Sequence, residues 1–452
     1  MIALRSISGV SLLIVVLLIS LYVQPAHIYS EAPAPSGLID RELIGMVVRD
    51  PWYDFNANPN FPNEVDYVAQ DRMGQELAAA GVRWVRLEFI IDEQVGSVEE
   101  NLARYDYFLT QVAPRYNLKV LGLLGFALVI NVDPRHPEYG LVVAGGIDPN
   151  YGGGVNGYMR TWLDRALTIA TRYEGQLHAY QILNEQNRLP VSPEQFGGGE
   201  GLDPVLIGRL HTKFYRCFKR NECAFTSLDP AWREGLDIVS GGLHPRGSER
   251  LLPSNRIQID GKPISDIAYL LELFATEPFR DYFLANGRYP LDGLGYHPYP
   301  VEIVATLATI EGDVARMNQR LNDVRTALTN GASPAGASVP FWITEVGYNV
   351  AYSRQTIAGQ SLFLQTVFLQ LAQRNDLAHI FWFKYEDFPP AEGPNAQQWG
   401  IVHVPFTEDS GCTGGACYVP GGEPAYRRPS FWALRELAGL PVYRTYLPLL
   451  RQ

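Results

Sequence analysis

The sequence predicts an α/β protein whose strand–helix units close into a (β/α)8 TIM barrel with long loops on the C-terminal face. Three observations carry this. Short apolar, β-branched runs recur eight times after the first 36 residues, and helix-period stretches lie between them. Long Gly/Pro-rich insertions follow particular strands. Strands that alternate regularly with helices form parallel βαβ units buried on both faces, and eight such units in about 400 residues fit a closed barrel.

The candidate strands are LIGMVV (43–48), VRWVRLEF (82–89), LKVLGLLGF (118–126), HAYQIL (178–183), LDIVSGG (236–242), LDGLGYH (291–297), VPFWITEV (339–346) and AHIFWFKY (378–385). Helical patterns, with apolar residues at i, i+3 and i+4, cover 73–81, 158–174, 264–275, 314–331 and 359–375. The insertions at 127–157, 186–204 and 386–430 follow the third, fourth and eighth strands, so in a barrel they project from the face where active sites lie. An open doubly wound sheet is the competing fold. It requires a phosphate-cradling glycine loop directly after its first strand, whereas GGGVNG (152–157) follows the loop IDPNY.

The ends of the chain bound its location. Arg5, an apolar run from Val10 to Val23 and a Pro/Ala-rich linker read as an export signal, or as an uncleaved membrane anchor. Ser30-Glu31-Ala32 has small residues suited to cleavage, but Pro33 disfavours it. The expected organisation is 1–36 signal or anchor plus linker, 37–441 catalytic barrel and 442–452 tail, with the folded part secreted or otherwise extracytoplasmic. The 4 cysteines fall into two close pairs, fitting disulfides Cys217–Cys223 and Cys412–Cys417 in an oxidising compartment. A formal charge of −11 without a Lys/Arg block argues against a nucleic-acid partner. A mean hydropathy of −0.08 argues against a polytopic membrane protein. No metal or other cofactor is expected, because the 8 histidines are scattered and neither cysteine pair is C-x-x-C.

Chemistry concentrates at two strand ends. AYQILNEQN stops its apolar run at Asn184-Glu185, and FWITEVGYN stops at Thr344-Glu345. On the fourth and seventh strands of a barrel these carboxylates face one mouth from roughly opposite sides. Glycoside hydrolysis needs such a pair, one protonated to donate to the leaving oxygen and one ionised to attack or to activate water.

With these residues in place, the chain after the linker resembles the clan A glycoside hydrolases, (β/α)8 retaining enzymes, nearest to members of the family 5 and family 39 type. The resemblance implies that Asn184-Glu185 supplies the acid/base and Glu345 the nucleophile. It implies supporting roles for Arg86 in WVRLEF, for His297 and Tyr299 in YHPYP, and for Trp382 in IFWFKYED as a floor beneath the sugar. WGIVH and AYRRPSFWALREL resemble the segment leading into the last helix of such enzymes. One departure stands out: family 5 members often place a histidine at the end of strand three, where this chain has GFALVIN.

Each residue has a physical role and a plainer alternative. Arg86 beside Glu345 would keep that carboxylate ionised, or it simply pairs with Glu88. Tyr299 would donate to the same carboxylate, and Asn184 would bind a sugar hydroxyl. His297 is otherwise a satisfied buried histidine, and Trp382 otherwise core packing. Gln186 and Asn187 line the cleft or start the loop; Trp52, Tyr53 and Phe55 build a subsite or cap the rim. The expected function is therefore a retaining glycoside hydrolase acting on a β-linked oligo- or polysaccharide. The rivals are a catalytically silent carbohydrate-binding barrel of the cell envelope and a transglycosylase using the same site. Carboxyl groups about 5–5.5 Å apart would fit retention, and about 6.5–9.5 Å inversion.

Overall fold

The computed structural model describes residues 38–48, 65–94, 96–129, 147–187, 204–223, 228–245, 265–299, 307–352, 355–393, 395–408 and 416–442. The chain divides into two units, residues 1–36 and 37–452, and the fold below lies in the second.

Eight strands form one parallel sheet: β1 (Ile44–Val48), β2 (Trp84–Glu88), β3 (Lys119–Leu124), β4 (Ala179–Asn184), β5 (Asp237–Gly242), β6 (Leu294–Tyr296), β7 (Phe341–Gly347) and β8 (Leu377–Phe383). β1 pairs with both β2 and β8, and the remaining neighbours follow in chain order. Parallel bridges Val239↔Gly293 and Leu243↔Tyr296 join β5 to β6 and close the barrel. All eight strands expected from the sequence are present, each within three residues of its expected limits.

The outer layer includes α1 (Tyr67–Ala80), α2 (Val98–Tyr107), α3 (Gly157–Arg172), α4 (Pro204–Phe214), α5 (Asp266–Ala275), α6 (Glu277–Asn286), α7 (Leu307–Gly331), α8 (Ile357–Leu371) and α9 (Pro429–Leu437). Local signals set several boundaries. Asp66 caps α1 by accepting from Ala69 N, and Gly81 ends it at φ +91°, a turn that glycine enters without strain. Ser97 and Glu100 form a capping box at the start of α2. The GGGVNG stretch resolves into a hairpin strand at Gly152–Gly153 and an N-cap, with Asn156 Oδ1 accepting from Met159 N at 2.8 Å. It serves the entry to α3.

Two-residue alternation divides each strand between the barrel interior and the helix layer. Val47, Trp84, Leu121, Ala179, Val239, Trp342 and Phe381 pack together inside. Trp84 meets Trp342 edge to face at 5.5 Å, so aromatic rings plug the barrel. Two residues further along their strands stand Arg86, Gln181, Thr344 and Phe383. The layer above the plug therefore carries the polar chemistry.

The 386–430 connection carries two small antiparallel ladders, Val402–His403 with Tyr426–Arg427 and Phe406–Glu408 with Ala416–Tyr418. Buried Asp387 anchors it: Arg428 donates two hydrogen bonds to its carboxylate, at 2.7 and 2.6 Å. Cys217 and Cys223 form the expected disulfide, with Cα atoms 4.8 Å apart. Cys412 and the aromatics Trp52, Tyr53 and Phe55 lie outside the described residues. Among the described residues no helix is long and apolar enough to cross a membrane.

Candidate active site

Both glutamates reach the barrel mouth because their strands break the alternation that regular pairing would impose. On β7, Ile343 pairs with Ile380 and Val346 with Trp382, so Thr344 and Glu345 together oppose Phe381. This β-bulge turns two consecutive side chains towards the interior. On β4, Leu183 is left-handed at φ +65° and Glu185 at φ +41°. Such conformations cost on the order of 1–3 kcal/mol each in a residue with a Cβ and persist where surrounding structure dictates them. Here the Gln181 amide donates to Leu183 O at 3.0 Å, and Glu185 N donates to Gly242 O at 2.9 Å. Leu183 packs into the core between barrel and helices, while Asn184 and Glu185 turn to the mouth.

Arg86 organises one side of the site. Its Nη1 donates to Glu345 Oε1 at 2.7 Å, its Nη2 to Asn184 Oδ1 at 2.8 Å and its Nε to Gln181 Oε1 at 2.7 Å. It is 3% exposed, so its pair with Glu345 is little screened by water. Tyr299 Oη donates to the other Glu345 oxygen at 2.7 Å. Burial, and then the nearby carboxylates of Glu345 and Glu185, push the Tyr299 phenol well above its ordinary value, so it stays a neutral donor.

Glu185 has a different setting. His297 Nδ1 lies 2.9 Å from its Oε1, while His297 Nε2 lies 2.9 Å from Thr344 Oγ1. His297 is fully buried. Its ring rests on β5 at Gly242, where a Cβ would stand 2.0 Å from Nε2, so only glycine fits. Glu185 is 3% and Glu345 8% exposed. One oxygen from each glutamate and one nitrogen of His297 lie within 4.8 Å of one another. Three such groups can hold a cation, but Arg86 already occupies Glu345 and His297 Nδ1 faces Glu185. The donor set suits proton transfer and nucleophilic attack better than metal binding.

Six of the seven residues given catalytic or supporting roles from the sequence thus meet at one place: Arg86, Asn184, Glu185, His297, Tyr299 and Glu345. Trp382 does not join them. It belongs to the outward set of β8, is fully buried and packs 6.0 Å from Phe363 of α8. Its expected position beneath the sugar is corrected to core packing, because alternation gives the inward position to Phe383. That ring lies 6.4 Å from Tyr299 and 5.4 Å from Trp399, and Trp399 lies 5.8 Å from Tyr299. Trp399 comes from the long connection after β8, which apolar periodicity does not fold.

Two further residues, Gln181 and His244, escaped the sequence reading. Gln181 is a fully buried amide inside the apolar run AYQIL, and that polar interruption was a readable signal. Asn187 exchanges hydrogen bonds with the backbone of His244, stapling the end of β4 to the end of β5, so its role is to start the loop. The His244 ring stacks on Tyr299 at 6.2 Å. Gln186 is 1% exposed, with its Oε1 close over Gly241.

No protein-family model and no curated protein matches the chain by sequence. Solved structures do match. A β-glucosidase from Thermotoga maritima in complex with castanospermine is 12% identical, covers 88% of this chain and 98% of its own, and has a TM-score of 0.50. A family 39 (GH39) β-xylosidase from Caulobacter crescentus is 16% identical over 88% of this chain and 72% of its own, with a TM-score of 0.48. An endo-laminarinase from Formosa Hel1_33_131 is 12% identical over 81% and 84%, with a TM-score of 0.48. At these identities the likeness is one of fold alone, a (β/α)8 barrel.

Proposed function

We propose that this protein is a retaining glycoside hydrolase that cleaves a β-linked oligo- or polysaccharide by double displacement. Glu345 is the nucleophile and Glu185 the acid/base. The observation that carries the reading is the close approach of two glutamates with opposite surroundings. Their nearest oxygens lie within 4.8 Å, which supports the short carboxyl separation of about 5–5.5 Å that retaining enzymes use over the about 6.5–9.5 Å of inverting ones.

Glu345 takes a cation on one oxygen and a phenol on the other, so its charge is stabilised and its orientation held. It attacks the anomeric carbon as Glu185 gives its proton to the leaving oxygen, and the glycosidic bond breaks. In the second step Glu185 takes a proton from water, the water oxygen bonds to the anomeric carbon, and Glu345 leaves as carboxylate. Asn184 has its carbonyl oxygen on Arg86, which leaves its N–H donors for a sugar hydroxyl beside the reacting carbon. Phe383 and Trp399 give the mouth an apolar wall suited to a sugar face. The disulfide favours an oxidising compartment, so residues 1–36 are proposed to direct export or to anchor the enzyme.

A panel of aryl β-glycosides differing in the sugar tests this. Turnover of at least one, with the β-anomer as first product, is expected. Initial release of the α-anomer would mean inversion. Binding without turnover would favour the silent barrel, and lengthened products from oligosaccharides a transglycosylase.

A further inference from the structure

Resting on the acid/base assignment of Glu185, we propose that Thr344 is a positioning residue that sets the tautomer of His297, and so keeps the Glu185 proton aimed at the leaving group.

His297 Nδ1 faces two carboxylates, Glu185 Oε1 at 2.9 Å and Glu345 Oε2 at 3.7 Å. A lone pair at Nδ1 would point at two acceptors, so Nδ1 carries the proton and donates it to Glu185. Arg86 and Tyr299 contact Glu345 and leave this edge of the ring to the glutamates. A neutral imidazole protonated at Nδ1 has a lone pair at Nε2. With the ring fully buried, that lone pair needs a protein donor. Among the described residues the Thr344 hydroxyl supplies it, at 2.9 Å.

With His297 donating to Oε1, the acid form of Glu185 holds its proton on Oε2. That oxygen gives the proton to the leaving group and later takes one from water. Without the hydroxyl, the buried Nε2 lone pair loses its donor, and the preference for this tautomer weakens. The other tautomer, protonated at Nε2, then accepts the Glu185 proton as a hydrogen bond at Nδ1 and turns it away from the leaving oxygen. The β7 bulge is what makes this arrangement available, because it turns Thr344 inward alongside Glu345. One strand therefore serves both glutamates.

Two measurements test this on the full-length protein and on Thr344→Val and Thr344→Ser. The first is the imidazole ¹⁵N chemical shifts of histidine-labelled protein, with His297 assigned from its loss in His297→Gln. Wild type and Thr344→Ser are expected to show a protonated Nδ1 and a bare Nε2, and Thr344→Val a loss of that preference. The second compares phenyl with 2,4-dinitrophenyl glycosides of one sugar. Because a general acid contributes ~10²–10⁴-fold, Thr344→Val should lose roughly 10–100-fold in kcat/KM on the phenyl substrate and under about threefold on the dinitrophenyl one. Thr344→Ser should recover most of the loss. A protonated Nε2 in the wild type overturns the inference whether or not the protein turns over any substrate. So do equal losses on both substrates, or a serine variant as impaired as the valine one. A wild type inactive on every glycoside would instead sink the proposed function, leaving the shifts to decide the tautomer.

Discussion

The ends of β4 and β7 look alike in sequence, an apolar run closed by a polar residue and a glutamate, yet the molecule treats the two carboxylates in opposite ways. Glu345 receives a guanidinium and a phenol on its two oxygens. Glu185 receives an imidazole from His297. The strands differ as well: β7 turns its glutamate inward with a bulge, β4 with two left-handed residues. A strand end can thus deliver a carboxylate to one place by different backbone devices. What decides its chemistry is the neighbour that arrives from another strand. Cation and donor together suit an anion that attacks, and an imidazole neighbour suits a group that must cycle between acid and base.

The hardest test of this contrast removes each carboxylate in turn. Glu345→Ala should abolish turnover of every substrate, a loss on the order of 10⁶-fold as for other nucleophile deletions. Glu185→Ala should spare the first step for a dinitrophenyl leaving group and accumulate the glycosyl-enzyme. On a β-linked substrate, added azide should give the β-glycosyl azide with Glu185→Ala and the α-azide with Glu345→Ala. The reverse stereochemistry, read by NMR of the products, would exchange the two roles.

A smaller break comes from Arg86→Met, which leaves the Glu345 charge buried without its cation. Removing one partner of a buried pair costs ~3–5 kcal/mol, so kcat/KM should fall roughly 10²- to 10⁴-fold on good and poor leaving groups alike. A loss confined to poor leaving groups would place Arg86 with the acid/base instead.

Tyr299→Phe removes one hydrogen bond to a charged group, worth about 1.5–3 kcal/mol, and should lower kcat some 10- to 100-fold with little change in thermal midpoint. Because the Tyr299 pKa is raised, the phenol stays protonated across the ordinary working range, and the sign of its effect is fixed. The variant should therefore lower the whole pH profile without moving an alkaline limb below pH 10. A moved limb would show that the phenol titrates during turnover.

The smallest effect is expected from Trp382→Phe. Its ring sits between barrel wall and helix, so kcat/KM should change less than about twofold while the thermal midpoint drops, as for a partly emptied core site. Trp399→Ala should do the opposite, raising KM with the fold intact. If Trp382→Phe raised KM instead, the sugar wall would have been assigned to the wrong tryptophan.

The two tryptophans also mark where sequence reading stops. Apolar runs and helical periods placed all eight strands, because a strand buried on both faces must be apolar wherever it lies in the chain. Several helices were harder to see: Val98–Tyr107 and Glu277–Asn286 carry many charges, and their apolar stripes are short. The glutamates were legible because a carboxylate at the end of an apolar run is costly to bury without purpose. Trp382 misled because inward or outward placement depends on register, and a one-residue difference reverses it.

By itself the sequence determined the eight-strand order, the strand ends that bear chemistry, the first disulfide and six residues that meet in one site. Each is a local property, written in runs, spacings and residue types. Tertiary structure alone decided that Thr344 and Glu345 both turn inward, that Gln181 braces Arg86, and that Phe383 and Trp399 flank Tyr299 where Trp382 was expected. The physical reason is that side-chain direction at a strand end depends on bulges and backbone dihedrals. Those are set by pairing with strands far away in the chain, and no local pattern records them.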